Sequence, residues 1–143
     1  MFEKFGYDDN SIELMKQHDV IDALINNKNK VVLWVFFPLT IIMEELIFRY
    51  YSMGLLLNQF DLDQISAILI SSIIFSFYHF HFWFKMKNFR ILLIYLGFSF
   101  FLGLFSAYIL LNLGIFFCIL VHYTLAFKLY VDLSKKVLKM KKE

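Results

Sequence analysis

The sequence predicts an all-α polytopic membrane protein: a bundle of four transmembrane helices with a short N-terminal amphipathic helix and both termini in the cytosol. Three observations lead to this fold class. The 143-residue chain is 60% hydrophobic and only 18% charged, whereas soluble domains average about 45–50% apolar and about 25% charged residues. Four long apolar segments follow one another along the chain. Lysines and arginines occur in every second segment outside the spans, and therefore on one predicted side of the bundle.

Each apolar segment is long enough to span hydrocarbon, which takes about 20 helical residues and about 17 at the short end. The segments cover Val31–Leu57, Ile65–Phe84, Ile91–Leu111 and Ile115–Val131. The connectors between them are short, so neighbouring helices are expected to run antiparallel. The polar start of the chain has no apolar core of the kind found in cleavable signal peptides. We therefore expect the first hydrophobic segment to stay in the mature protein.

The distribution of positive charge predicts the orientation. Lysines and arginines lie before the first span, in the second connector and in the tail: Lys28, Lys30, Lys85, Lys87, Arg90, Lys135, Lys136, Lys139, Lys141 and Lys142. The first and third connectors have neither residue type. Because cytosolic loops carry an excess of Lys and Arg, both termini are predicted to lie in the cytosol.

The chain divides into three predicted parts: an N-terminal cytosolic or interfacial segment at 1–30, a transmembrane core at 31–133 and a basic cytosolic tail at 134–143. In the first part, Asn10 and Ser11 are suitable caps for a helix. Leu14, Ile21 and Ile25 recur there at helical spacing. Such a helix is typical of the membrane surface, and a solvated lead-in without function is the open alternative.

Three ionisable residues lie inside the first predicted span, namely Glu44, Glu45 and Arg49. Each costs about 2.5–3.5 kcal/mol at the bilayer centre, so we expect them to face protein or a water-filled cavity. Glu45 and Arg49 have the spacing of an ion pair on one helix face, which leaves Glu44 unpaired. An unpaired carboxylate beside a cavity is a natural general base. A structural polar clamp between helices is the open alternative.

Two further titratable groups are expected beside this cluster. His79, in the second span, shares a helical face with two serines and should look into the bundle, whereas His81 should point the other way. His122 lies in the fourth span, on a seam of small and polar residues. Glu44, His79 and His122 have similar predicted depths, about 8–9 Å from the cytosolic boundary at a rise of ~1.5 Å per residue. In the third span, small residues recur at every fourth position and predict close helix packing: Ser99, Gly103 and Ala107.

The order of these elements is familiar. Glu44-Glu45-x-x-x-Arg49 is followed by Phe75-x-x-x-His79, by a glycine-containing helix and by His122 on a last helix. This order resembles the CAAX-protease and bacteriocin-processing family of intramembrane peptidases, also called the Abi family, over about residues 31–130. The resemblance implies peptide-bond hydrolysis in the membrane, with water activated by Glu44 and His79. It implies that Glu45 and Arg49 organise the site and that His122 stabilises the oxyanion.

The resemblance also implies partners. The expected substrate is a peptide or a C-terminally lipidated protein. Membrane lipid is expected to surround the protein and to be the medium in which it encounters this substrate. Family members commonly carry Asn four residues after the last histidine, where this chain has Ala126; Thr124 or a backbone group would have to substitute for it. The chain is short for the family, so a homo-oligomer or a helper membrane protein is expected to complete the cavity.

Several alternatives stay open at this point. No cofactor is required for glutamate-activated hydrolysis, but Glu44, His79 and His122 are the residues that would hold a divalent metal such as zinc. A catalytically weak or inactive scaffold or immunity protein of the same fold is the second alternative, which Ala126 favours. A proton carrier is disfavoured because the titratable groups cluster at one depth. Nucleic acid is disfavoured as a partner because no basic block is interleaved with exposed aromatics.

Overall fold

A computed structural model describes residues 14–16, 18–26 and 30–140, apart from the side chain of Met140, and all regular structure in these residues is helical. Helix α1 is Asp19–Asn26. Helix α2 runs without interruption through a π segment, Val32–Phe36, an α segment, Phe37–Glu45, a second π segment, Leu46–Tyr51, and a last α segment, Ser52–Asn58. Helices α3, α4, α5 and α6 are Gln64–Tyr78, His81–Met86, Phe89–Leu113 and Ile115–Met140.

Three helical stretches are long and apolar enough to cross a membrane. They are Gln64–Met86, which includes the turn between α3 and α4, Phe89–Leu113 and Ile115–Lys139. These stretches support the predicted multi-pass membrane protein. The first predicted span is helical but contains the three charged residues, and it is not one of these three stretches. A total of four spans and a cytosolic position for both termini therefore stay predictions.

Helix α2 is widened at two places. The first π segment ends just before Pro38, which has no N–H to donate and whose ring crowds the carbonyl four residues back. The second π segment, Leu46–Tyr51, is fixed from outside by α3, because Ser71 Oγ donates a hydrogen bond of 2.8 Å to the carbonyl oxygen of Phe48. Single π turns inside α-helices are frequent at functional sites, and the second one carries the arginine of the charged cluster.

The second predicted span is not one continuous helix, which corrects the sequence prediction. Helix α3 ends at Tyr78, and α4 begins at His81. Through the turn, backbone N–H groups donate to carbonyls three residues back: His79 to Ser76 at 3.0 Å, Phe80 to Phe77 at 2.9 Å and Phe82 to His79 at 3.1 Å. This is the spacing of a 3₁₀ turn. The 3₁₀ turn separates α3 from α4 while these backbone amides remain hydrogen-bonded.

Helices α3 and α5 pack closely through the predicted small-residue seam. Ser99 and Ala107 are buried, and Gly103 lies directly against Ser72 of α3. A Cβ atom at position 103 would come within 3.0 Å of the Ser72 Cβ and 3.1 Å of its Cα. The prediction of close packing is confirmed, since the space beside Gly103 leaves no room for a side chain.

Helix α1 packs on the bundle. Its predicted apolar face is confirmed, because Leu14, Ile21 and Ile25 join a core cluster formed with residues of α4, α5 and α6. This face is covered by protein, and a position of the helix at the membrane surface stays a prediction. Other predictions for the termini involve residues outside the described part of the chain: Asn10, Ser11, Lys28, Lys141 and Lys142.

His18 caps α1 and ties it to α6. Its Nδ1 accepts the Val20 N–H at 3.3 Å, and its Nε2 lies 3.1 Å from the Tyr130 hydroxyl. The ring also stacks on Phe82, with centroids 5.5 Å apart. Burial lowers the pKa of His18 to about 4, and the positive charge of Lys85 adds to this effect. The cap requires the neutral ring, since a protonated Nδ1 has no lone pair to accept with.

We predict that Gly103→Ala destabilises the protein by about 1–3 kcal/mol, the usual cost of overpacking, because its Cβ meets the Ser72 backbone. Gly97→Ala in the same helix is the matched control, since a Cβ at position 97 meets nothing within 4 Å. The free energy of unfolding in detergent, measured for both variants, checks this. Equal stabilities for the two variants would contradict the proposed contact.

We also predict that α1 loosens as the pH falls from about 6.5 towards about 4. The unfolded state binds a proton at His18 near pH 6.5 and the folded state only near pH 4, so the stability from this group is complete above pH 6.5 and is lost in that window. Hydrogen exchange of the Val20–Asn26 amides, corrected for its intrinsic pH dependence, measures the change. His18→Asn keeps a capping side chain that does not titrate, and its α1 should not respond to pH in this way.

Candidate functional site

A buried ionic network joins helices α2 and α6. Glu45 and Arg49 are both fully buried, and Arg49 Nε lies 3.6 Å from Glu45 Oε2, which confirms the predicted pair. His122 of α6 completes the network, because its Nδ1–H donates to Glu45 Oε1 at 2.7 Å. The Glu45 carboxylate thus contacts Arg49 on its own helix and also His122, which lies 77 residues later in the sequence.

The guanidinium group of Arg49 is held by charge and by one aromatic face. None of its nitrogens has a hydrogen-bond acceptor in the described part of the chain. Its Cζ lies 4.2 Å from the centroid of the Phe75 ring, within the range of a cation–π contact. Glu45 and Phe75 are therefore the described groups that compensate this buried positive charge.

Glu44 has a different environment from its neighbour in sequence. Its side chain is 12% exposed, and its Oε2 lies 3.8 Å from Nε2 of His122. The His122 ring therefore stands between two carboxylates, bonded to Glu45 on one side and facing Glu44 on the other. Glu44 was predicted to be unpaired. It has this ionic neighbour instead, at a distance too long for a hydrogen bond.

Phe75 organises the two histidines. Its ring is fully buried and meets His79 edge-on at 4.9 Å and His122 edge-on at 5.8 Å between centroids. His79 Nδ1 donates to the Phe75 carbonyl oxygen at 3.0 Å, which leaves Nε2 as the unprotonated ring nitrogen of the neutral form. His79 and His122 thus lie on different edges of one aromatic ring.

One cavity brings the predicted groups together. Its volume is about 370 Å³, and Glu44, His79 and His122 all line it. Glu45 and Arg49 are not part of its lining and lie behind it. The arrangement places one partly exposed carboxylate and two imidazoles around a shared space, while the second carboxylate is engaged in charge pairing.

Two further residues line the cavity, and one of them, His81, does not lie where the sequence analysis placed it. His81 lines the same cavity as His79, because the 3₁₀ turn rotates it towards His79, with ring centroids 6.1 Å apart. The prediction that His81 points the other way is therefore wrong. Ala126 also borders the cavity and packs among apolar side chains of α1 and α2.

Sequence reasoning did not single out Tyr78 or His18, and both line the cavity. Tyr78 directly precedes His79 and would be expected to face away from it in a regular helix. Recognising the turn at His79 is what reveals its position. His18 is far away in sequence and reaches the cavity only because α1 packs on the bundle. No local motif marks it.

The predicted metal ligands do not assemble into a metal site. Among the residues that the structure describes, no group of three or more His, Cys, Asp or Glu side chains is arranged to hold an ion. Glu45 is already committed to Arg49 and His122. Glu45 is therefore not available as an additional ligand, and a role for a metal ion stays a prediction.

Comparison with known proteins gives one match. Residues 26–127 match the family described as type II CAAX prenyl endopeptidase Rce1-like. The matched stretch is more than half of the chain and contains all five predicted site residues. No match was found among curated proteins or among solved structures.

We predict that Arg49→Met lowers the free energy of unfolding by about 3–5 kcal/mol, because it removes the cation and leaves a buried carboxylate. Lys85→Met is the matched control. Lys85 and Asp19 form an ion pair of 3.2 Å that is exposed to solvent, and such pairs contribute about 0–1 kcal/mol. Denaturation in detergent micelles measures both variants, and similar losses would show that the Arg49 pair contributes no more than a surface ion pair.

Proposed function

Because this chain belongs to the Rce1-like family of type II CAAX prenyl endopeptidases, we propose that it is an intramembrane endopeptidase that hydrolyses a peptide bond with water activated by Glu44 and His79. The family is a protease family. The observation that carries the proposal is the cavity lined by Glu44, His79 and His122. A carboxylate that faces a cavity is free to take a proton from water, which a carboxylate engaged like that of Glu45 is not.

The proposed reaction begins with water held between Glu44 and the unprotonated Nε2 of His79. The water oxygen attacks the carbonyl carbon, Glu44 takes a proton from the water, and the carbonyl electron pair moves onto oxygen. When this tetrahedral intermediate collapses, the carbon–nitrogen bond breaks and Glu44 returns the proton to the leaving amine. His122 lies on the far side of Glu44, with its Nε2 3.8 Å from the carboxylate.

Glu45 and Arg49 act as positioning residues in this scheme. Glu45 fixes the tautomer of His122 by accepting its Nδ1–H, so that Nε2 is directed towards Glu44. Arg49 places its positive charge 3.6 Å from Glu45, and hydrogen bonds that involve a charged group are the stronger ones. Neither side chain lines the cavity, so neither is proposed to touch the substrate.

The proposed substrate is a peptide or a C-terminally lipidated protein that enters from membrane lipid. The apolar part of the cavity lining supports this choice, since aromatic rings from five helices form much of its wall: Phe37, Tyr78, Phe82, Tyr95, Phe98 and Tyr130. A homo-oligomer or a helper membrane protein that completes the cavity belongs to the same proposal, as does a multi-pass location with both termini in the cytosol.

We propose that hydrolysis needs no metal ion. The commitment of Glu45 to Arg49 and His122 supports this. Incubation with a zinc chelator followed by the cleavage assay tests it. Activity that is lost on chelation and regained with zinc would overturn this part of the proposal and leave peptidase function intact.

An inactive scaffold or immunity protein of the same fold is the second candidate function. The observation in its favour is Ala126, which offers no polar atom from its side chain and packs in an apolar cluster. Loss of one oxyanion donor lowers turnover by about 10²–10³ in other hydrolases. Activity of the wild-type protein decides between the two candidates.

We predict that Glu44→Gln abolishes cleavage while the protein stays folded, because the amide has nearly the same shape and cannot accept the proton. The assay uses purified protein in liposomes with a farnesylated peptide, and mass spectrometry detects the released fragment. Asp61→Asn is the matched control, since it makes the same chemical change at an exposed residue in the α2–α3 connector. Equal cleavage by wild type and Glu44→Gln would exclude Glu44 as the base, and biological activity without cleavage in both would favour the scaffold.

A further inference from the structure

The oxyanion donors that the resemblance leads one to expect are His122 and a polar side chain at position 126. His122 has its Nδ1 bonded to Glu45 at 2.7 Å and its Nε2 directed at Glu44 from 3.8 Å. Both ring nitrogens of His122 are thus directed at carboxylates. Ala126, one turn later, is buried among Val20, Leu33 and other apolar side chains. If a peptide bond is hydrolysed here, the hydrogen bond to the developing negative oxygen has to come from elsewhere.

Tyr78 is placed to supply that hydrogen bond. It lines the same cavity as Glu44 and His122, and its side chain is 44% exposed. Its ring contacts Phe48 at 5.1 Å between centroids, and Phe48 lies one turn after Glu44 on α2.

The hydroxyl of Tyr78 is also unoccupied. It forms no hydrogen bond with any of the residues that the structure describes. Two other hydroxyls on the cavity wall are engaged, since Thr40 donates to the Phe36 carbonyl at 2.8 Å and Tyr130 pairs with His18 at 3.1 Å. A phenol that is held by its ring and free at its oxygen is a preorganised donor of the kind that stabilises oxyanions.

The ring of Tyr78 is fixed from three sides. Besides Phe48, it meets His79 edge-on at 5.4 Å and His81 at 5.4 Å. The backbone is fixed as well, because His81 Nδ1 donates to the Tyr78 carbonyl at 2.8 Å. These contacts restrain the direction in which the hydroxyl points, so that little reorganisation is needed during a reaction.

We propose that the Tyr78 hydroxyl donates a hydrogen bond to the carbonyl oxygen of the scissile peptide bond as that oxygen becomes negative, and so takes the place of a polar residue at position 126. This inference rests on the proposed peptidase function. Tyr78 keeps its own proton throughout: the water proton goes to Glu44 and then to the leaving amine, and the oxyanion reverts to a carbonyl when the carbon–nitrogen bond breaks.

The test compares Tyr78→Phe with wild type in the liposome assay with the farnesylated peptide. Tyr78→Phe keeps the ring and its three aromatic contacts and removes only the donor. We expect kcat to fall by about 10²–10³, the cost of losing one oxyanion donor, with KM nearly unchanged. Tyr51→Phe is the matched control, because Tyr51 is 70% exposed and does not line the cavity. Equal kcat in Tyr78→Phe and wild type overturns the inference.

A binding measurement keeps the inference testable if wild type does not cleave. A peptide phosphinate carries a tetrahedral anionic centre, and the parent peptide carries a planar neutral one. Wild type should bind the phosphinate more tightly than the peptide, and Tyr78→Phe should lose tenfold or more of this preference. An unchanged preference overturns the role of Tyr78 whatever the cleavage result.

The two proposals fail in different ways. Cleavage that survives in both Glu44→Gln and Tyr78→Phe counts against both, whereas cleavage lost in Glu44→Gln but kept in Tyr78→Phe counts against Tyr78 alone. If Tyr78→Phe does not fold, 3-fluorotyrosine at position 78 replaces it. This residue is a stronger donor of almost the same size, so phosphinate binding should tighten, and unchanged binding would overturn the inference.

Discussion

Hydrocarbon offers an ionised side chain no charged or hydrogen-bonding partner. In this structure, one network centred on the Glu45 carboxylate supplies such partners. Glu45 neutralises Arg49 on its own helix and fixes the ring of His122 on α6. Since a buried charge without compensation costs several kcal/mol, these three side chains must stay together for α2 and α6 to pack. The position of the neighbouring Glu44 follows from this. Glu44 is the residue just before Glu45 on the same helix. Its side chain therefore lies at the edge of the network and faces the cavity.

Phe75 links that network to the rest of the site. Its ring lies under the guanidinium group, beside Phe48 and between the two histidines. An aromatic ring presents negative charge on its face and positive charge at its edge. The negative face of the Phe75 ring therefore suits the Arg49 guanidinium group, and the edge of the ring remains for contacts with other groups. One apolar side chain on α3 thus positions polar groups from three helices without making a hydrogen bond from its own side chain.

The local parts of this arrangement could be predicted from the sequence, and the non-local parts could not. The Glu45–Arg49 pair follows from residue spacing on one helix, and the buried face of α3 follows from its serines. The bond between Glu45 and His122 joins positions 77 residues apart, and no periodicity indicates it. The break at His79 was also missed, because Tyr-His-Phe-His contains no glycine or proline to mark a helix end. The docking of α1 was missed because an amphipathic pattern does not reveal whether lipid or protein covers the apolar face.

The tightened turn at His79 and Phe80 has a geometric consequence for the cavity wall. With three residues per turn, side chains three positions apart lie above one another. His79 and Phe82 are accordingly almost parallel, at 15° and 6.0 Å, and Phe82 in turn stacks on Tyr95 of α5 at 4.4 Å. The rings form a column that leans on the neighbouring helix. Because His79, Phe82 and Tyr95 all line the cavity, this one tight turn fixes a stretch of aromatic wall as well as the position of a site histidine.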